Sequence, residues 1–176
     1  MDAVDEEREL VRRVRAGDMD AYADLLQPLL GAATKLAYGL LQDRWAAEDS
    51  VQEAAMRAWR RLGNLESGRS FRPWFLGIVA NRCREALRGR WWSVLRVPEP
   101  ASRAREQEDE WLAGADLRRA LAELPYGQRA AIVLHFYLDL PLEEVAATLD
   151  LGIAGVKARI NRGLRRLRLA LEAERC

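Results

Sequence analysis

Hydrophobic residues recur three or four positions apart along most of the chain, which is the spacing of an amphipathic helix. The pattern predicts helices at about residues 6–16, 18–41, 46–62, 71–88, 114–123 and 128–138. Gly17 closes the first helix, Asp18 is a suitable cap for the second, and Pro28 predicts a bend within it. The alternation of apolar and polar positions that is typical of strands does not occur. The sequence therefore predicts an all-α fold.

Residues 141–169 carry the clearest pattern and read PLEEVAATLDLGIAGVKARINRGLRRLRL. They predict a short helix at residues 142–149, a tight turn at Asp150-Leu151-Gly152 and a second helix after it. Aspartate and glycine both tolerate the positive φ that such a turn often needs. The predicted buried stripe of the second helix consists of Val156, Ile160, Leu164 and Leu167.

The outer face of that second helix is basic, and no acidic residue occurs between positions 153 and 169. An arginine-rich helix face is most often a solvated surface with no binding role. Here the two-helix frame, the turn and the uninterrupted positive charge occur together. Their combination favours a helix-turn-helix that binds DNA.

Helical periodicity is lost between Trp91 and Glu110, where the chain contains Pro98, Pro100 and alternating charges. Such a composition is typical of a flexible linker. We therefore predict two small helical domains, residues 1–90 and 113–176, joined by a flexible linker at residues 91–112. The helix-turn-helix lies in the C-terminal domain, and the two halves are expected to behave as separate folding units.

Charge is segregated along the chain, although 28 basic and 27 acidic residues leave a net charge of only +1. Acidic residues gather at the N-terminus, while basic residues gather at positions 57–90 and 157–168. A near-neutral total thus hides two basic surfaces. These local surfaces, and not the net charge, determine which partners the protein binds.

No metal or cofactor site is expected. Cys83 and Cys176 lie far apart and His135 is the single histidine, which argues against a disulfide scaffold or a Cys/His zinc site. His135 lies in an apolar run and is expected to be packed rather than catalytic. That run is too short to span a bilayer, and the acidic N-terminus is unlike a signal peptide. We expect a cytoplasmic protein without membrane insertion.

Residues 47–62 read AEDSVQEAAMRAWRRL, and residues 71–88 read FRPWFLGIVANRCREALR. Together with residues 124–168, these segments resemble the extracytoplasmic-function (ECF) sigma factors of bacterial RNA polymerase. The first segment is similar to the polymerase-binding helix of that family, and the second is similar to the helix after its promoter-melting loop. Residues 124–168 resemble the C-terminal domain almost throughout. The sequence departs from the family at Gly152, where a serine cap is usual, at Gly155, where a threonine is usual, and at Gly163 within the helix.

Asp49, Gln52 and Glu53 lie at positions i, i+3 and i+4 and so share one helical face. On spacing alone, this cluster is a solvated acidic patch. The resemblance implies instead that it binds core RNA polymerase, at the clamp of the largest subunit.

A turn-rich loop at residues 63–70 and the helix start after it combine polar, basic and aromatic side chains. The resemblance assigns this region to the −10 promoter element, where basic groups meet the backbone and a polar pocket holds a flipped base. Trp74 is expected to be mainly a core residue. The predicted −10 contacts are Asn64, Arg69, Phe71, Arg72 and Trp74, with Asn81 and Arg82 near the edge of the upstream duplex.

The predicted −35 contacts lie on the outer face of the last helix. Ala158, Asn161 and Arg162 are expected to meet base edges, because an alanine methyl can pack on thymine, asparagine can bind adenine and arginine can bind guanine. Phosphates are expected to be contacted by Lys157, Arg159, Arg165 and Arg166.

The resemblance thus implies an alternative sigma factor that binds core RNA polymerase and directs promoter-specific initiation through −10 and −35 elements. It also implies an anti-sigma protein as a partner. The alternative is a stand-alone helix-turn-helix regulator that binds operators as a dimer, which would leave the Asp49 cluster and the loop without a role. An enzyme such as a nuclease would need a cluster of carboxylates or histidines, and none is evident.

Overall fold

A computed structural model describes residues 3–94 and 114–173, with side chains from residue 4 to 89 and from 114 to 173. Within these ranges every regular element is helical, which confirms the all-α prediction. In chain order the α-helices are α1 (Ala3–Arg15), α2 (Met19–Leu26), α3 (Leu30–Leu41), α4 (Arg44–Arg61), α5 (Phe71–Val94), α6 (Ala115–Glu123), α7 (Tyr126–Ile132), α8 (Leu142–Leu149) and α9 (Ile153–Ala173). None of the described helices is both long and apolar enough to cross a membrane.

The predicted helix boundaries in the first half follow from local chemistry. Gly17 has a φ of +94° after the end of α1, and the Asp18 carboxylate then accepts hydrogen bonds from the backbone N–H groups of Asp20 and Ala21 at 3.0 Å. The bend expected at Pro28 is a short 3₁₀ turn, Gln27–Leu29, between α2 and α3. Asp43 caps α4 in the same way as Asp18, since its side chain accepts from Ala46 N at 2.9 Å.

A second short 3₁₀ turn, Leu62–Asn64, ends α4 and leads into the loop before α5. Phe71 and Phe75 at the start of α5 stack with their ring centroids 5.9 Å apart, and both are fully buried. They anchor α5 in the core of the first half. The loop before α5 is thereby held at both ends by buried residues, Leu65 and Phe71.

Most of the predicted linker lies outside the described residues. Its first four positions, 91–94, form the last turn of α5, so this helix continues beyond the predicted boundary. The two helical domains on either side of the linker confirm the predicted architecture. The sequence did not predict any contact between the two domains, but in the structure they pack against each other.

One contiguous apolar cluster runs from Val14 in α1 to Ile160 in α9 and includes buried residues of both halves. In it α5 packs against α8, and α3 packs against a π-helical turn, Val133–Tyr137, that follows α7. Polar groups tie the same interface. Arg129 Nη1 donates to Leu40 O at 2.8 Å, and Gln42 Nε2 donates to Arg118 O at 2.7 Å.

The helix-turn-helix has the predicted form. α8 ends at Leu149, the following residue Asp150 adopts the left-handed conformation with a φ of +54°, and α9 begins at Ile153. The predicted buried stripe is wrong at one position, because the Leu164 side chain is 41% exposed and Gly163 is buried in its place. An ideal Cβ at Gly163 would lie 2.5 Å from Ile132 Cδ1, so the missing side chain is what lets α9 approach α7.

A smaller apolar cluster supports the other end of α9, where Leu167 packs with Leu121, Leu124 and Ile132. His135 lies in the π-helical turn and is half-buried, with Nδ1 2.8 Å from Leu140 O. It is a packed residue, as expected. Among the described residues, no three or more His, Cys, Asp or Glu side chains converge as metal ligands.

Candidate polymerase and promoter interfaces

The acidic cluster predicted to bind polymerase lies on α4. Asp49 and Gln52 are exposed, with the Asp49 side chain 68% accessible. Glu53 is less available, because the Arg82 guanidinium on α5 forms an ion pair and hydrogen bond with its carboxylate. This hydrogen bond lowers the pKa of Glu53 below its ordinary value, and the positive charges of Arg82 and Arg57 act in the same direction. Glu53 therefore joins α4 to α5 as well as adding charge to the cluster.

Arg82 was predicted to contact −10 DNA, but in the structure it is largely buried and pairs with carboxylates of α4. Its side chain is only 15% exposed and lies against α4, with Nη2 4.0 Å from Asp49 Oδ2 as well as paired to Glu53. Hydrogen bonding to the Glu53 carboxylate raises the pKa of Arg82. Its contact is thus with the acidic cluster, whereas its neighbour Asn81 is exposed.

Four of the predicted −10 residues meet around one cavity of about 630 Å³. Arg61, Gly68 and Ser70 also line it, and the side chains of Trp74 and Ile78 form its apolar wall. Trp74 is half-buried and packs on Phe71, with ring centroids 5.8 Å apart. The cavity thus combines an aromatic face, amides and guanidinium groups. The four predicted residues are Asn64, Arg69, Trp74 and Asn81.

Phe71 does not belong to this surface. Its side chain is 1% exposed and is enclosed by Tyr22, Trp74 and Phe75, so it cannot contact DNA in this structure. The prediction failed because aromatic residues at the start of a helix serve equally well as core residues. Phe71 supports the loop from beneath.

Two residues that the sequence analysis missed hold the ends of the same loop. The Glu7 carboxylate on α1 accepts from Phe71 N at 2.9 Å and lies 3.4 Å from Ser70 Oγ. Arg15, also on α1, donates to the backbone oxygen of Leu65. No sequence signal identifies these contacts, because each joins residues at least 50 positions apart.

The C-terminal domain covers part of the surface that was predicted to contact the −10 element. Arg69 Nη2 lies 3.3 Å from Asp150 Oδ1, and Arg72 Nε lies 3.0 Å from Glu144 Oε1. Ala147, Thr148 and Asp150 line the cavity from the opposite side. Two arginines predicted to meet DNA are therefore paired with carboxylates of α8 and the turn after it.

By contrast, most of the outer face of α9 is exposed to solvent. Arg159 is half-buried and its guanidinium lies over Gly127, where an ideal Cβ would be 2.7 Å from Nη1. The other predicted −35 residues are exposed, and none of the basic residues among them forms an ion pair within the described part of the chain. These exposed residues are Lys157, Ala158, Asn161, Arg162, Arg165 and Arg166.

Comparisons with known proteins match both halves. Residues 21–93 match the family model for sigma-70 region 2, and residues 115–167 match the model for sigma-70 region 4. The chain is 32% identical over 158 residues to the ECF RNA polymerase sigma factor SigE of Mycolicibacterium smegmatis, with 85% of this chain and 61% of SigE covered. It is 26% identical over 182 residues to the ECF sigma factor SigW of Bacillus subtilis, with 92% and 94% covered.

The chain covers unequal shares of its curated relatives, since it spans 61% of SigE but 39% of a probable RNA polymerase sigma factor, RfaY, from Xanthomonas campestris. Among solved structures it resembles the sigma factor RpoE in complex with the anti-sigma factor NepR from Bartonella quintana. That match has a TM-score of 0.66 and 29% identity and covers 85% of this chain and 98% of RpoE. The chain therefore belongs to the sigma-70 family, within its ECF group of RNA polymerase sigma factors.

Proposed function

We propose that this protein is an alternative sigma factor, which binds core RNA polymerase and directs promoter-specific initiation through −10 and −35 elements. The observation that carries the proposal is the occurrence in one chain of two different surfaces suited to DNA. The aromatic wall of the cavity belongs to the first domain, and an exposed basic helix lies in the second. A stand-alone regulator needs only the second surface.

Core polymerase binding is assigned to α4. Asp49 and Gln52 project from one exposed face, and Glu53 beside them is kept ionised by Arg82. An exposed carboxylate and amide cluster suits a basic helix on the partner. The partner we propose is the clamp of the largest polymerase subunit.

The cavity around Asn64, Arg69, Trp74 and Asn81 is assigned to the −10 element. Its amides can donate to and accept from the Watson–Crick edge of an unstacked base, and the Trp74 ring offers it an apolar face. The nearby guanidinium groups of Arg61 and Arg69 suit the phosphates on either side of that base. This chemistry supports recognition of melted DNA rather than of a closed duplex.

The exposed face of α9 is assigned to the −35 element. Ala158, Asn161 and Arg162 lie in the first half of the helix, where a helix in the major groove makes its base contacts. Lys157, Arg165 and Arg166 flank them and are suited to phosphates. Arg159 is less suited, because its guanidinium lies over Gly127.

Promoter binding requires the two domains to separate from the arrangement described above. DNA at the −10 cavity would compete with Asp150 for Arg69 and with Glu144 for Arg72. We assign residues 1–90 to the polymerase-binding and −10 domain and residues 113–176 to the −35 domain, with residues 91–112 connecting them. An anti-sigma protein, as in the RpoE complex with NepR, is the further partner we propose, and the cytoplasm is the location.

A binding measurement with core polymerase tests this assignment. Asp49→Lys should weaken the affinity of the full chain for core by about tenfold or more, since it places a positive charge against a basic partner. Asp24→Lys is the matched control, because Asp24 is also an exposed aspartate but lies on α2. Tight core binding that neither substitution affects would refute the assignment of this surface. A parent protein that binds DNA as a dimer and does not bind core would support a stand-alone regulator.

A further inference from the structure

Helix α1 lies outside the region 2 match, which begins at residue 21, and none of its residues has a role among the contacts proposed so far. It nevertheless contacts both ends of the loop at residues 63–70. Arg15 donates to Leu65 O near the beginning of the loop, and the Glu7 carboxylate accepts from Phe71 N directly after its end. Helix α1 therefore bridges the two ends of the loop.

The spacing on α1 suits this bridge. Glu7 and Arg15 are eight residues apart, which corresponds to about 12 Å along a helix. The helix is also held by contacts outside the loop. Val14 is buried in the core at 5% exposure, and Arg13 Nη2 lies 2.7 Å from Asp18 Oδ2 across the turn to α2. Both loop contacts thus extend from a helix that is already held in place.

The Glu7 contact has a defined chemical role. The first N–H groups of a helix have no partner within that helix, and the positive end of the helix dipole lies there. Phe71 N is the first N–H of α5, and Glu7 Oε1 accepts from it at 2.9 Å while Glu7 Oε2 lies 3.4 Å from Ser70 Oγ. A residue of α1 therefore caps α5 and fixes where the loop ends.

The cavity depends on where this loop ends. Asn64 and Arg69 line the cavity from the loop, and Trp74 and Asn81 line it from the first turns of α5. A shift of the junction between loop and helix would move these two sets of groups relative to each other. A displacement of about 1 Å is enough to weaken a site that depends on precise placement.

We propose that Glu7 and Arg15 are positioning residues for −10 recognition. Through these two residues, α1 holds the loop at residues 63–70 in the conformation that binds the −10 base. The inference rests on the proposed function as a sigma factor. A purely structural role for α1 would lower the stability of the domain and reduce initiation from all promoters alike. A positioning role would instead change the preference among −10 sequences.

The test uses holoenzyme made from the full chain and core polymerase, on a promoter selected by that holoenzyme from a random-sequence library. Initiation is measured on templates with single-base changes in the −10 or the −35 element. Glu7→Ala should reduce discrimination among −10 variants by about tenfold and leave discrimination among −35 variants unchanged. Glu7→Gln should restore it, because the amide oxygen can still accept from Phe71 N.

The matched control is Glu6→Ala, which removes an exposed carboxylate from the same helix. Arg15→Met tests the other end of the loop and should also reduce −10 discrimination, even if Glu7→Ala fails to fold. Uniform loss of initiation, or an unchanged −10 preference in both Glu7→Ala and Arg15→Met, would overturn the inference. A parent holoenzyme that initiates at no promoter would refute the proposed function instead.

Discussion

Gly77 on α5 and Thr148 on α8 approach so closely that an ideal Cβ at Gly77 would lie 2.8 Å from the backbone oxygen of Thr148. A backbone oxygen cannot rotate away as a side chain can. The first domain therefore packs against the helix-turn-helix at a distance that only glycine permits. Gly39 on α3 is a second close approach between the halves, with an ideal Cβ 2.7 Å from Val133 Cγ1.

Gly77→Ala should separate the two domains. The added methyl group must displace α8, at a cost of about 1–3 kcal/mol for overpacking, so the arrangement with α5 on α8 should become less populated. Small-angle X-ray scattering of the full chain should report a larger radius of gyration. Binding of single-stranded −10 DNA should become tighter, because Arg69 and Arg72 are released from Asp150 and Glu144.

Gly89→Ala is the control for this substitution, since Gly89 lies on the same helix and its ideal Cβ has no contact within 4 Å to any other element of the described chain. It should leave the radius of gyration unchanged and stabilise α5 by up to about 1 kcal/mol, because alanine is the better helix former. If Gly77→Ala is as compact as Gly89→Ala and binds DNA no better than the parent, the domain contact does not restrain DNA binding.

Arg129→Met should destabilise the protein by about 3 kcal/mol. The Arg129 side chain is 8% exposed, and it donates to Leu40 O at 2.8 Å, to Leu124 O at 3.3 Å and to Ala122 O. Its burial lowers the pKa of Arg129, but guanidinium groups remain protonated in proteins. Methionine would leave buried carbonyls of both domains without donors.

Urea-induced unfolding of the full chain measures this loss. Arg88→Met on α5 is the control, because Arg88 is exposed and its replacement should change the free energy of unfolding by no more than about 0.5 kcal/mol. Equal stabilities for the two variants would show that Arg129 does not hold the halves together.

The contact between Glu53 and Arg82 should make stability depend on pH. Arg82 lowers the pKa of Glu53 in the folded protein below the ordinary value of 4.5, so folding is favoured by the ionised carboxylate. This contribution is fully present above pH 4.5 and is lost as the pH falls through the lowered pKa. It is small, since the Glu53 side chain is 37% exposed and screened by solvent.

Comparison of the parent with Glu53→Gln isolates that contribution. The difference between their free energies of unfolding should be constant near neutral pH and should shrink in acid, and added salt should reduce it at neutral pH. A difference that grows as the pH falls would contradict the assigned direction of the pKa shift.

Arg162 and Arg165 should differ in what they contribute to −35 binding. Arg162→Ala should weaken binding of the preferred −35 sequence by about 1–3 kcal/mol and relax discrimination at one base position. Arg165→Ala should weaken all sequences alike and reduce the slope of the salt dependence by about one unit. Holoenzyme binding to single-base −35 variants at several salt concentrations separates the two effects. Uniform loss with Arg162→Ala would identify it as a phosphate contact.

The parts of the fold that could be predicted from the sequence are those set by local chemistry. Asp18 and Asp150 occupy the cap and turn positions that their side chains favour, and the helices follow the apolar spacing. The predicted buried stripe of α9 was wrong at Leu164, because a pattern of hydrophobic side chains cannot indicate that a glycine is buried. Gly163 is buried through the approach of α7, which is a tertiary effect.

Only some of the residues around the candidate site could be predicted from the sequence. The family resemblance indicated Asn64, Arg69 and Asn81, and the structure places all three around one cavity. The resemblance did not indicate that Arg82 pairs with Glu53, nor that Glu7 caps α5, because both contacts join separate helices. The sequence also did not indicate that the two domains pack on each other. This packing depends on the close approach of the second domain to the backbone at Gly39 and Gly77.

The most direct test of the account is run-off transcription by core polymerase, free of other sigma factors, on a linear duplex carrying the promoter selected by this protein. We predict initiation from one start site that depends on the protein and is lost when either the −10 or the −35 element is scrambled. Transcription no greater than that of core alone, from a protein that still binds the same DNA, would contradict the account.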